Sequence, residues 1–100
     1  MNRLQYLLGK LAEESAEVTQ MACKTSNFGL DEVCPGLSAT NAERLHREID
    51  DMLTIVDMLN TEFGFNYCPD MAHVAAKKIK VEKYYEYAKS LGLVGDNDAV

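Results

Sequence analysis

Residues 45–59 read LHREIDDMLTIVDML, and this stretch decides the fold. Its apolar side chains recur every three or four residues, which is the spacing of an α-helix. They cover more than half of the helical circumference, so we expect this helix to lie at the centre of the fold. Thr40-Asn41-Ala42-Glu43 fits a capping box at its start. Gly64 fits its end.

Two further helices are predicted on either side of this one. The first runs from about residue 2 to about residue 26, where leucines recur at helical spacing. The third runs from Met71 to about Leu91, with Asp70 as its cap and Gly92 at its end. Its apolar side is predicted to consist of Val74, Ile79, Tyr84, Tyr87 and Leu91. Residues 27–38 form a connection, in which residues 30–34 are expected to make one helical turn.

The sequence contains no strand-like alternation, so we predict an all-α helical bundle. Its 100 residues suffice for one domain, expected over residues 1–93, followed by a disordered tail over residues 94–100. A chain this short buries only about two-thirds of the surface that it exposes when unfolded. We therefore expect a homodimer or homotetramer to complete the bundle.

Charge and hydropathy exclude several classes of function. The net charge of −6 argues against a nucleic-acid-binding protein, which would present a basic face. No run approaches the ~20 apolar residues of a membrane span. The amino terminus lacks the pattern of a signal peptide, so a cytoplasmic location is expected.

Two acidic motifs interrupt the apolar helix faces. They are Glu13-Glu14-Ser15-Ala16-Glu17 in the first helix and Glu48-Ile49-Asp50-Asp51 in the second. Carboxylates three residues apart lie on one face of a helix, and Glu14 and Glu48 fall within the apolar stripes. Carboxylates crowded at such a seam need a countercharge. Mg²⁺ suits an all-oxygen site, and Mn²⁺ is also compatible with it.

The alternative is that the acidic residues only solvate the helix surfaces. Lys10 would then pair with Glu14, and Arg44 with Glu48, as ordinary ion pairs four residues apart. One motif alone would favour this interpretation, because charged helix faces are common. Two motifs in apolar stripes of consecutive helices favour a metal site instead.

The ordered pair of motifs resembles the signature of the MazG-like, all-α nucleoside triphosphate pyrophosphatases, over roughly residues 4–90. The resemblance implies Mg²⁺-dependent hydrolysis of a nucleoside triphosphate to the monophosphate and pyrophosphate. It implies that the metal is held by Glu14, Glu17, Glu48 and Asp51. Glu13 and Glu14 are the candidate catalytic residues. Glu13 projects about 100° away from Glu14 and would hold a second ion, accept the proton of the attacking water, or lie on the surface.

The third helix carries the candidate phosphate-binding residues Lys77, Lys78 and Lys80, which otherwise form a solvated basic face. Asn27, Phe28 and the loop that follows them are candidates for contact with a base. Two other functions remain open from the sequence. One is a phosphoribosyl-ATP pyrophosphatase, which has a similar helical fold and acidic motif. The other is a catalytically inactive helical interaction module, which would gain no stability from Mg²⁺.

Overall fold

The computed structural model describes residues 1–95, and its first helix, α1, spans Arg3–Phe28. Asn2 caps this helix, because its side chain accepts a hydrogen bond from the Gln5 amide at 2.8 Å. The Gln5 side chain accepts one in return from the Asn2 amide at 2.9 Å, which completes a capping box. Gly29 caps the carboxyl end of α1, and its φ of 92° would be strained for any residue with a Cβ. The predicted helix is confirmed, and it extends two residues beyond the predicted end.

The second helix, α2, spans Asn41–Phe63. The predicted capping box is confirmed: Glu43 donates its amide to the Thr40 hydroxyl, and the Glu43 carboxylate accepts from the Thr40 amide at 2.9 Å. Gly64 ends the helix in the left-handed conformation, with φ of 61°. Its freedom at positive φ explains why glycine stands at this stop.

α1 and α2 pack against each other as an antiparallel hairpin. Arg3 at the start of α1 makes a two-pronged ion pair with Glu62 near the end of α2, at 3.0 and 3.1 Å. The buried apolar side chains within the described residues are Leu7, Met21 and Leu59. Leu53 belongs to the apolar stretch 45–59, yet it is 46% exposed. The apolar core of this hairpin is therefore small.

The connection between the two helices differs from the prediction. Residues 30–34 do not form a helical turn; Val33 instead makes an isolated antiparallel bridge with Thr40. The carbonyls of Leu30 and Glu32 accept hydrogen bonds from the first amides of α2, at Ala42 and Asn41, at 3.0 Å each. These carbonyls are thereby held against the start of α2, which is incompatible with a local helical turn.

The third helix, α3, spans Met71–Ser90. Asp70 caps it as predicted, because one carboxylate oxygen accepts from the amides of Ala72 and His73 at 3.0 and 3.1 Å. None of its residues is buried. The side chains of its predicted apolar side, including Ile79 and Tyr87, are mostly exposed. An α-helix is confirmed here, but burial of that side is not observed.

The chain divides into two units, Met1–Tyr67 and Cys68–Val100. The predicted single domain over residues 1–93 spans both units and stays a prediction. An all-α fold is confirmed for residues 1–95, where the isolated Val33–Thr40 bridge is the only β-type pairing. Of the tail predicted to be disordered, Gly95 accepts a hydrogen bond from the Tyr85 hydroxyl at 3.2 Å. Residues 96–100 lie outside the described residues.

None of the helices in residues 1–95 has the length and hydropathy needed to cross a membrane.

Candidate metal centre

Three of the predicted metal ligands come together in the α1–α2 hairpin. Glu14 of α1 and both Glu48 and Asp51 of α2 each place a carboxylate oxygen within 4.8 Å of those of the other two. We call these three residues the acidic cluster. Both sequence motifs contribute to it, so the cluster exists only because the two helices pack together.

The register of the two helices explains why these side chains meet. Glu14 lies seven residues after the buried Leu7, and a separation of two helical turns keeps it on the same stripe of α1. Glu48 lies three turns before the buried Leu59 on the packed stripe of α2. Asp51 follows Glu48 by three residues and therefore lies beside it. Packing of the apolar stripes thus brings the acidic groups together as well.

The ion pairs that would make these residues ordinary surface charges are not formed among residues 1–95. Lys10 pairs with Glu13 at 3.4 Å rather than with Glu14. Arg44 makes no ion pair with Glu48, and no ion pair within the described part of the chain reaches the acidic cluster. The three carboxylates therefore face one another without a protein cation between them.

Burial and the neighbouring negative charges disfavour the ionised form of Glu14. Its partial burial raises the pKa of its carboxyl group above the ordinary value of 4.5. The negative charges of Asp51, Glu13, Glu48 and Glu17 add to that increase in the pKa. A bound cation would reverse the effect of these charges, because it favours the ionised carboxylate.

The donor set fits a small divalent cation. Ligands on opposite sides of Mg²⁺ lie about 4.2 Å apart, which is twice the metal–oxygen distance of 2.0–2.1 Å. The oxygens of the acidic cluster spread over no more than 4.8 Å. Small side-chain rotations, or a water molecule between a carboxylate and the ion, would complete the coordination. Oxygen-only donors favour Mg²⁺ or Mn²⁺ over softer metals.

The remaining predicted site residues lie outside the acidic cluster. Glu17 is one turn further along α1, close enough for its charge to affect Glu14 but not one of the three converging side chains. Glu13 is exposed and contacts Lys10. The three lysines predicted to bind phosphate lie on α3, in the second unit, and their role stays a prediction. They are Lys77, Lys78 and Lys80.

Comparison with known proteins adds no relative of this chain. No family model, no curated protein and no solved structure matches it. The likeness to MazG-like pyrophosphatases therefore stays a resemblance based on the two acidic motifs.

A cavity of about 300 Å³ in the same unit was not predicted. Lys24 and Phe28 line it from the end of α1, and Arg44 lines it from the first turns of α2. Phe28 was among the residues predicted to contact a base, whereas Lys24 and Arg44 were not. Their helical register is the signal that was available: Arg44 lies one turn before Glu48, and Lys24 lies two turns after Glu17.

Removing the charge of Glu14 should make stability less dependent on pH. A carboxyl group whose pKa is raised on folding destabilises the folded state in full above that raised pKa, and the penalty disappears as pH falls towards 4.5. In metal-free buffer we expect Glu14→Gln to exceed the wild type in free energy of unfolding at neutral pH. This advantage should shrink on acidification. Urea denaturation at several pH values measures it.

The matched control for this experiment is Asp57→Asn, which neutralises an exposed carboxylate elsewhere on α2. Its free energy of unfolding should differ from that of the wild type by the same amount at every pH in this range. A Glu14→Gln variant that is less stable than the wild type at neutral pH would contradict the assignment of Glu14 to a repulsive cluster.

Proposed function

We propose that this protein is a Mg²⁺-dependent nucleoside triphosphate pyrophosphohydrolase of the MazG-like type. The reaction converts a ribonucleoside or deoxyribonucleoside triphosphate to its monophosphate and pyrophosphate. One observation carries the proposal: carboxylate oxygens of Glu14, Glu48 and Asp51, drawn from both acidic motifs, converge within 4.8 Å, and no ion pair within residues 1–95 involves them. We expect the enzyme to act in the cytoplasm, where its substrates are made.

The three carboxylates would hold the metal, and Glu17 would contribute through water from the next turn of α1. Bound Mg²⁺ supplies stabilisation of the charge that develops on the phosphate oxygens. Helices support these carboxylates, so their relative positions are set before substrate binds. Water attacks the α-phosphorus, the bond to the bridging oxygen breaks, and pyrophosphate leaves with that oxygen. Glu13 stays the candidate acceptor of the water proton, and it would first have to leave Lys10.

Lysines of α3 are proposed to contact the triphosphate. Lys77 and Lys78 line a largely apolar hollow on this helix, and Lys80 is exposed. Lysine ammonium groups suit phosphate as mobile point charges.

The assay that tests the function is release of pyrophosphate from a panel of nucleoside triphosphates, with Mg²⁺ and with EDTA. The same panel should include phosphoribosyl-ATP, the substrate of the rival enzyme.

We also propose that the working form is a homo-oligomer. The apolar core of the described residues is limited to Leu7, Met21 and Leu59, whereas Leu8 and Leu53 are each nearly half exposed. Exposed apolar surface of this extent is typical of faces that pack against another chain. Sedimentation equilibrium measures the mass, which we expect to be that of a homodimer or homotetramer of the 11.2 kDa chain.

Magnesium should stabilise the folded protein. A ligand that binds only the folded state raises the free energy of unfolding by about 2.7 kcal/mol when its concentration is 100 times its Kd. We therefore expect the melting temperature to rise with Mg²⁺ in a saturable manner. Glu48→Gln should melt above the wild type without metal, because one repulsive charge is gone, and should show little further rise on addition of Mg²⁺.

Two controls separate binding from screening. NaCl at matched ionic strength reports the effect of charge screening alone. Asp50→Asn removes a neighbouring exposed carboxylate that lies outside the acidic cluster, and it should keep the Mg²⁺ response of the wild type. Equal stabilisation by NaCl and by Mg²⁺ would favour the inactive interaction module instead.

A further inference from the structure

The cavity at the α1–α2 connection has a wall that is held in place by hydrogen bonds from the buried Asn41. Asn41 is only 2% exposed and donates its side-chain amide to the Gly29 carbonyl at 2.9 Å and to the Glu32 carboxylate at 2.8 Å. The Asn41 backbone amide also donates to the Glu32 carbonyl at 3.0 Å. These bonds fix the loop against α2 before any ligand binds, which lowers the entropic cost of binding.

The wall of the cavity combines apolar side chains with a few polar ones. Phe28, a residue that is 65% exposed, offers an aromatic ring, and Cys34 and Pro35 also line the wall. Such a surface suits a flat ring, because aromatic side chains stack on the faces of bases. An apolar pocket with a small number of placed polar groups is the usual form of a small-molecule site.

The polar groups of the wall are two cations and one carboxylate. Lys24 and Arg44 make no ion pair and no side-chain hydrogen bond within residues 1–95. One oxygen of Glu32 accepts from Asn41, and its other oxygen accepts no hydrogen bond within the same residues. The cavity therefore presents donors from Lys24 and Arg44 and one acceptor from Glu32.

The helix positions of the two cations place the cavity beyond the acidic cluster, towards the α1–α2 connection. Arg44 lies one helical turn before Glu48 on the same face of α2, a rise of about 6 Å. Lys24 lies two turns after Glu17 on α1, and seven residues keep it on the side of Glu17, at the edge of the packed stripe. A nucleotide whose phosphates are bound at the acidic cluster would extend along the α1–α2 seam into the cavity.

We infer that this cavity binds the base of the substrate and prefers bases with a lactam edge, meaning a ring carbonyl beside a ring N–H. This inference rests on the proposed function. Guanine, hypoxanthine, uracil and thymine carry that edge, whereas adenine and cytosine carry an amino group beside an unprotonated ring nitrogen. Arg44 or Lys24 donates to the carbonyl, and Glu32 accepts from the N–H. The lactam carbonyl has two lone pairs and the ring N–H is one donor, which matches two cations and one carboxylate oxygen. The amino edge has two donors and a single ring-nitrogen acceptor, so one of the two cations would stay without an acceptor.

Free nucleosides test this inference without metal or phosphate. Inosine and adenosine differ only at the edge in question, and the same holds for uridine and cytidine. We expect inosine to shift the NMR amide resonances of Phe28, Glu32 and Cys34 and to bind about tenfold more tightly than adenosine. Arg44→Met should remove most of this preference, and Lys24→Met should weaken it. Arg47→Met is the matched control, because Arg47 lies on α2 outside the cavity.

The results separate this inference from the hydrolase proposal. Equal binding of inosine and adenosine, shifts confined to other regions, or an unchanged preference in Arg44→Met would overturn the base site. Preferential inosine binding with no pyrophosphate released from any triphosphate would refute the hydrolase while supporting the lactam site. Hydrolysis at the same kcat/KM for dITP and dATP would overturn the lactam preference and leave the hydrolase intact.

Discussion

Glu48→Gln should lower kcat/KM for Mg²⁺-dependent release of pyrophosphate by at least about 100-fold. Replacing even the groups that orient metal ligands costs about 10–100-fold in affinity or activity, and Glu48 is proposed to bind the ion directly. Glutamine keeps the size of the side chain but removes the charge that attracts the cation. Asp51→Asn should cause a loss of similar size, because its carboxylate lies in the same cluster. Pyrophosphate release, measured over a range of Mg²⁺ concentrations, gives both values.

Asp50→Asn provides the control for this loss. It makes the same chemical change as Asp51→Asn, one residue away, on a side chain outside the acidic cluster. Its activity should stay within a few-fold of the wild type. Full activity in both Glu48→Gln and Asp51→Asn would exclude the acidic cluster as the metal centre.

Leu59→Ala should destabilise the hairpin unit by about 3 kcal/mol. Leu59 is fully buried, and its removal leaves a cavity in a core that contains only two other buried apolar side chains within the described residues. Small domains have free energies of unfolding of about 5–15 kcal/mol, so the loss is a large fraction of the total. Urea denaturation followed by circular dichroism measures it.

Leu37→Ala is the matched control for the core substitution. Leu37 belongs to the same unit, lies in the α1–α2 connection and is 50% exposed. The same truncation there should cost less than about 1 kcal/mol, because little buried surface is lost. A Leu59→Ala variant as stable as Leu37→Ala would show that the α1–α2 seam is not the core of the unit.

Helix positions were predictable because their signals are local. Capping groups such as Thr40 with Glu43 satisfy the first amides of a helix regardless of what packs around it. Gly64 likewise ends α2 because it tolerates positive φ. The connection was mispredicted because its hydrogen-bond partners are not local: the Glu32 carbonyl bonds to Asn41, nine residues away. A helical turn at residues 30–34 would lose these bonds to the start of α2.

The sequence predicted that carboxylates would gather at the helix seam, but not every predicted metal ligand does so. Periodicity placed Glu14, Glu48 and Asp51 in or beside the apolar stripes, and the packed stripes bring these three together. Glu17 lies at the edge of its stripe, so one turn along α1 places it beside the cluster rather than within it. Lys10 was expected to reach Glu14 as an alternative, but it pairs with Glu13 instead. Periodicity defines a face, whereas the choice between neighbouring carboxylates depends on side-chain reach.

Within residues 1–95, the sequence by itself determined the three helices, their caps and the presence of acidic groups on apolar stripes, because all of these depend on spacing along one chain. Only the tertiary structure decided which carboxylates meet and which apolar side chains are buried. It also formed the cavity between Lys24, Phe28 and Arg44. The physical reason is that contacts between helices depend on their relative register and on the path of the connecting loop. Hydrogen bonds from Asn41 help to set that path, and no local pattern records them.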